Sequence, residues 1–279
     1  MSSQKHHTID RLLRLATVVT ALLLAVLLVL TVVLLALKAD KTPAGTPGDS
    51  QSGDVGTNGG ADTQEPAPED DGVTLPLTED AGIAYQDSLT FVGDSLTAHL
   101  INRGVLTDGT NTKQVWRSQT NMINLNSQVT SAKIILPSTG ELMTIAEAAK
   151  AEKPSILIIT LGTDWGVAYL NETDFKDCYS RLIKDIQKAS PETTIILQSI
   201  FPVTASCTLL DNAKIDNANR WVKAIAADNG CAYLDTQSIL KDQNNCLKEE
   251  YCNSSDGIHL GKNAYEAILQ YIRTHAVTE

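Results

Sequence analysis

Hydrophobic and polar positions fall into three regimes along the chain. From Leu15 to Leu37, 23 consecutive residues are uncharged and mostly aliphatic, bracketed by Arg14 and Lys38. As a helix this stretch is about 35 Å long, enough to cross a hydrocarbon core of about 30 Å with some tilt, so it predicts a transmembrane helix. A cleaved signal peptide would have a shorter apolar run of about 7 to 15 residues and a small-residue cleavage site, which Leu37-Lys38-Ala39 does not offer. From Lys38 to Gly82 there is almost nothing apolar to bury. Gly and Pro make up 13 of its residues, half of the chain's 17 glycines and 9 prolines, which predicts a disordered linker with a reach on the order of 35 to 40 Å.

From Ile83 onward, short β-branched runs alternate with amphipathic helical patterns. Strands are predicted at Leu89 to Val92, Gln114 to Trp116, Ile156 to Leu161, Thr194 to Ile200 and Ala232 to Asp235. Helices are predicted over Thr144 to Glu152, ending before Pro154, and over Glu172 to Ala189, Asp211 to Asn229 and Lys262 to His275. Gly230 stands where a C-terminal cap belongs. Ser118 to Gly140 shows no clear period. Alternating strands and helices call for a parallel sheet covered on both faces, with ligands gathering outside the carboxyl ends of the strands. The expected organisation is a cytoplasmic tail over 1–14, a membrane span over 15–37, an acidic linker over 38–82 and one α/β domain over 83–279.

Charge sharpens this picture. The net charge is −11, and no basic stripe is available to release counterions from a phosphate backbone, so nucleic acid is excluded as a partner. The linker holds ten acidic residues against Lys38 and Lys41, while Lys5, Arg11 and Arg14 precede the span. Short basic tail and large remainder place the N-terminus inside and residues 38–279 outside. All five cysteines follow Lys176. Export permits disulfides, and Cys246 with Cys252 is the nearest pair; buried thiols are the alternative, preferred for Cys178 on the stripe Phe175, Leu182, Ile186.

Candidate chemistry begins after the first strand, at Phe91-Val92-Gly93-Asp94-Ser95. A strand running through Gly-Asp-Ser into a helix puts the Ser95 hydroxyl beside unpaired backbone N–H groups that can stabilise an oxyanion. Ser95 as a plain helix cap is the competing reading. A serine nucleophile needs a base, and the five histidines can be sorted by place. His6 and His7 lie on the cytoplasmic side, His99 is one turn past Ser95 and reads as structural, and His275 is near a helix C-terminus. His259 remains, in Ser255-Asp256-Gly257-Ile258-His259 just before the last helix. Asp256 can curl onto the imidazole and fix its tautomer. A third block, Leu161-Gly162-Thr163-Asp164-Trp165, follows the central strand; Gly162 permits close backbone approach. Trp116 and Trp165 flank the site blocks and could stack on sugar rings, with burial in the core as the alternative.

This arrangement resembles the SGNH/GDSL hydrolase family, whose serine lies in an early Gly-Asp-Ser block and whose Asp-x-x-His block comes late. The resemblance spans Leu89 to Ala276 and implies a flavodoxin-like three-layer sandwich with a parallel sheet. It implies Ser95 as nucleophile, His259 as base and Asp256 as its orienter. It further implies an oxyanion hole from Ser95, from Ser118 in the place of the family's glycine, and from Asp164 in the place of its asparagine. An ionised carboxylate cannot donate to an oxyanion, so Asp164 is expected to be protonated or displaced, or activity to be low. The expected function is ester hydrolysis outside the membrane, with no metal or organic cofactor, on O-acetyl groups of envelope glycans. Acyl transfer to a glycan, or a catalytically weak domain that binds glycan or a partner protein, are the alternatives.

Overall fold

The structure, a computed structural model, describes residues 71–277. The tail expected to be cytoplasmic, the apolar span Leu15 to Leu37 and the expected linker as far as residue 70 lie outside the described residues. Among the described residues no helix is long and apolar enough to cross a membrane.

In chain order the strands are β1 (Leu89–Gly93), β2 (Val115–Trp116), β3 (Lys133–Ile135), β4 (Leu142–Thr144), β5 (Ile156–Thr160), β6 (Thr194–Gln198) and β7 (Ala232–Leu234). β3 and β4 form a small antiparallel hairpin. The other five make one parallel sheet in the order β2-β1-β5-β6-β7. The chain therefore winds outward in one direction to β2, then returns past β1 to build β5, β6 and β7. In sheets of this order the reversal, here between β1 and β5, opens a crevice at the carboxyl ends of the strands.

Strand periodicity assigns the two faces. Val92, Leu157, Ile159, Ile195 and Leu197 point to one side, against α3 (Ile145–Glu152), α5 (Glu172–Ala189) and α6 (Asn212–Asp228). Phe91, Ile158, Ile196 and Leu234 point to the other, against α2 (Ser95–Arg103) and α8 (Lys262–Arg273). α1 (Gly82–Asp87) packs beside α8, and two short helices, α4 (Gly166–Tyr169) and α7 (Gln237–Leu240), sit in the connections. Local chemistry sets the helix ends. Asn171 caps α5 by accepting the Asp174 N–H, and its stripe of Phe175, Tyr179, Leu182 and Ile186 is buried. Thr144 and Glu147 form a reciprocal capping box on α3.

Two expectations are corrected, and two readings left open are settled. Residues 71–82, assigned by composition to the linker, are docked: Val73 and Leu75 bond the backbone of Tyr233 alongside β7 in the parallel sense. Asp71 pairs with Lys223, and Asp80 with Arg273 at 3.0 Å. Backbone hydrogen bonds hold this strap, so composition does not reveal it. The aperiodic stretch contains β3, too short to show a period. Trp116 is 2% exposed in the core, because β2 is covered on that face; it is not at a cleft rim. All five cysteines are free thiols, and those of Cys246 and Cys252 face the carbonyls of Asn244 and Ser254 instead of each other.

Candidate active site

The crevice between β1 and β5 is built by a close crossing. A side chain at Gly93 would bring its Cβ within 2.2 Å of the Thr160 carbonyl, so β1 can pair fully with β5 only with glycine there. The next residue, Asp94, has no exposed surface. Its carboxylate accepts the Leu96 N–H at 3.3 Å, capping α2, and the Thr163 N–H at 3.0 Å in the loop after β5. One side chain thus ties together the loops that follow the two central strands. Burial, reinforced by the neighbouring charge of Asp164, pushes the Asp94 carboxyl up to about 7.

Ser95 opens α2. Its N–H donates to Asp164 Oδ2 at 3.0 Å, and its hydroxyl donates to Asp164 Oδ1 at 2.9 Å. Asp164 is delivered by a turn that needs glycine: Gly162 has φ +134, and a Cβ there would lie 2.6 Å from Ile200 Cδ1. Asp164 is thus an acceptor in this site, not the oxyanion donor expected of it, because a carboxylate facing an N–H and an O–H can only accept. Trp165 beside it is 38% exposed and packs against Tyr169, 68% exposed, with ring centroids 4.4 Å apart.

The loop before α8 supplies the histidine. His259 Nδ1 lies 2.6 Å from Asp256 Oδ2. Partial burial works against ionisation of Asp256, but the Ser254 hydroxyl, the Ile258 N–H and His259 outweigh it and hold the carboxyl below the usual range. An ionised Asp256 orients the ring and stabilises an imidazolium. Ser118, at the carboxyl end of β2, turns its hydroxyl inward to the N–H and carbonyl of Met122, leaving its backbone N–H as the group it can offer an oxyanion.

His99, read as structural, is at the site: its ring centroid is 4.8 Å from that of His259. Arg103, one turn further, donates Nε to the Leu260 carbonyl at 3.0 Å. Ser95, His99 and Arg103 recur every four residues on one stripe of α2, a spacing visible in the sequence. Among the described residues no group of three or more His, Cys, Asp or Glu could hold a metal ion.

A serine at a helix N-terminus and an Asp–His pair, brought to the reversal point of a parallel sheet, define a hydrolase of the serine-esterase class. The chain belongs to the GDSL-like lipase/acylhydrolase family, whose model matches residues 91–267. Among curated proteins no sequence matches significantly. Similar solved structures include a GDSL-like lipase from Bacteroides thetaiotaomicron, 16% identical, with TM-score 0.45, covering 72% of this chain and 90% of that one. Another is a Clostridium thermocellum family 3 carbohydrate esterase, 16% identical, TM-score 0.45, covering 67% and 93%. A third is the periplasmic domain of a Salmonella ser. Paratyphi A lipopolysaccharide acetyltransferase, 16% identical, TM-score 0.44, covering 66% and 82%.

Proposed function

We propose that this acylhydrolase removes O-acyl groups, acetyl foremost, from glycans of the cell envelope, held to the membrane by the apolar span Leu15 to Leu37. The observation that supports the esterase chemistry is that His259, bonded to Asp256, packs its ring 4.8 Å from His99, one turn along the helix that Ser95 opens. In turnover His259 Nε2 takes the Ser95 proton and the alkoxide attacks the ester carbonyl. The imidazolium then protonates the leaving alcohol, and water releases the acyl-enzyme by the same route. The N–H groups of Ser95 and Ser118 would hold the oxyanion, so Asp164 must swing off the Ser95 N–H before that charge develops.

The surroundings support a glycan. Trp165 lines a cleft of about 530 Å³ with Asn126, Gln128 and Arg181. A second cleft of about 340 Å³ shares Asn126 and Gln128 and reaches Ser118. Amide and hydroxyl side chains next to an exposed aromatic pair match the alternating hydroxyl edges and apolar faces of sugar rings, whereas a fatty acyl chain would want an apolar trough. The acidic, Gly- and Pro-rich composition of residues 38–70 supports reach into a polymer layer.

The test is turnover of an O-acetylated envelope polysaccharide by the full-length chain, with acetate release measured. Ser95→Ala should abolish it, and a fluorophosphonate should label Ser95. Full release by the Ser95→Ala chain would discard the proposed nucleophile. The seat of Asp164 on Ser95 favours a second reading, a catalytically weak glycan binder; it predicts retained glycan binding without labelling.

A further inference from the structure

The stripe on α2 extends beyond the nucleophile to a second ring. With Ser95 as nucleophile and His259 as base, the reading on which this role depends, we infer that His99 is a positioning residue. Its ring is the platform against which the His259 imidazole is held between Asp256 and Ser95.

Three observations carry it. The two rings lie 4.8 Å apart at an interplanar angle of 32°, a tilted packing that restricts how far His259 can turn. His99 Nδ1 is buried with no hydrogen-bond partner, so the ring is placed there at a cost that its packing against His259 would account for. Arg103, on the same stripe, fixes the Leu260 carbonyl next to His259. The helix that carries the nucleophile therefore also holds the base, at two points one turn apart.

A platform under a base has an electrostatic condition. His259 becomes a cation in each half of the reaction, so the ring beneath it must stay neutral. The groups facing His99 are Arg103 on its own helix, His259 and Asp256 from the loop before α8, and Asp164 from the loop after β5. Burial first, then His259 and Arg103, favours the neutral ring; Asp164 and Asp256 act the other way, and the net direction is a lowered pKa. A neutral aromatic face also attracts the imidazolium that forms against it.

The experiment is the pH profile of kcat and KM for the full-length chain on p-nitrophenyl acetate, with Ser95→Ala as reference. His99→Ala should lower kcat about 10- to 100-fold, as misplaced catalytic groups do, with KM within about twofold. His99→Phe, which keeps a neutral ring, should restore most of kcat and leave the acid limb in place. His99→Arg, a permanent cation beneath His259, should move the acid limb down by about one pH unit. An unmoved acid limb in His99→Arg, or an undiminished kcat in His99→Ala, would overturn the inference. Should His99→Ala fail to fold, the Phe and Arg arms still decide. Turnover surviving Ser95→Ala would instead overturn the esterase reading itself.

Discussion

The carboxylate of Asp164 takes both hydrogen-bond donors of Ser95, the backbone N–H at 3.0 Å and the hydroxyl at 2.9 Å. The N–H that should greet a developing oxyanion is thus occupied by a fixed negative charge. Asp164→Asn turns an acceptor into a side chain that can donate. Since one oxyanion donor is worth about 3 to 4 kcal/mol, the variant should raise kcat on a small acetyl ester by about 10- to 100-fold, the lower range allowing for imperfect aim. Steady-state kinetics check this; a lowered kcat would mean that Asp164 serves the reaction as it stands.

Asp94 links pH to stability through its buried carboxyl. Its folded pKa is raised from 3.8 to about 7, so the folded state favours the protonated form. That contribution is fully present below pH 3.8 and is lost as pH rises through about 7. His99, whose pKa is lowered by burial, acts in the opposite sense, so the informative quantity is a difference. The stability advantage of the wild type over Asp94→Asn should shrink between pH 5 and pH 8, measured as the gap between their thermal midpoints.

Behind Gly162 lies a second tie. Asn219, 2% exposed, accepts the Ile200 N–H at 2.7 Å and donates to the Ile200 carbonyl at 2.9 Å. Asn219→Ala would strand both backbone groups in the interior, a loss of about 2 to 4 kcal/mol. Because Ile200 packs on Gly162, the turn carrying Asp164 should loosen as well. Denaturant unfolding measures the first effect, and fluorophosphonate labelling kinetics the second.

Trp165 separates polymer recognition from chemistry. Its exposed ring offers an apolar face on which a sugar ring can stack. Trp165→Ala should therefore raise KM for acetylated polysaccharide about three- to tenfold while p-nitrophenyl acetate turnover stays the same. Equal effects on both substrates would argue that the ring supports the site and not the glycan.

Much of the fold was legible because its signals are local. The bounds of α5 follow from its unbroken apolar stripe, and β1, β5 and β6 from short β-branched, apolar runs buried on both faces. The hairpin β3–β4 escaped because three-residue strands carry no period. The strap at residues 71–82 escaped because backbone hydrogen bonds leave no mark on composition. At the site, His259 emerged from sorting the five histidines by place, and Asp256 from its position three residues before it. His99 did not, since a histidine inside a predicted helix looks like scaffold until the stripe Ser95, His99, Arg103 is seen to face another loop. Trp116 misled by sequence proximity: being next to a site block says nothing about which face of the strand a ring occupies.

The strap also fixes a direction. Val73 to Leu75 run alongside β7 in the same sense as the strand, so the polypeptide joins the sheet at the pole where its strands begin, whereas Ser95, Asp164 and His259 crown the pole where they end. The described domain therefore takes in its N-terminal strap at one pole of the sheet and displays its reactive residues at the other.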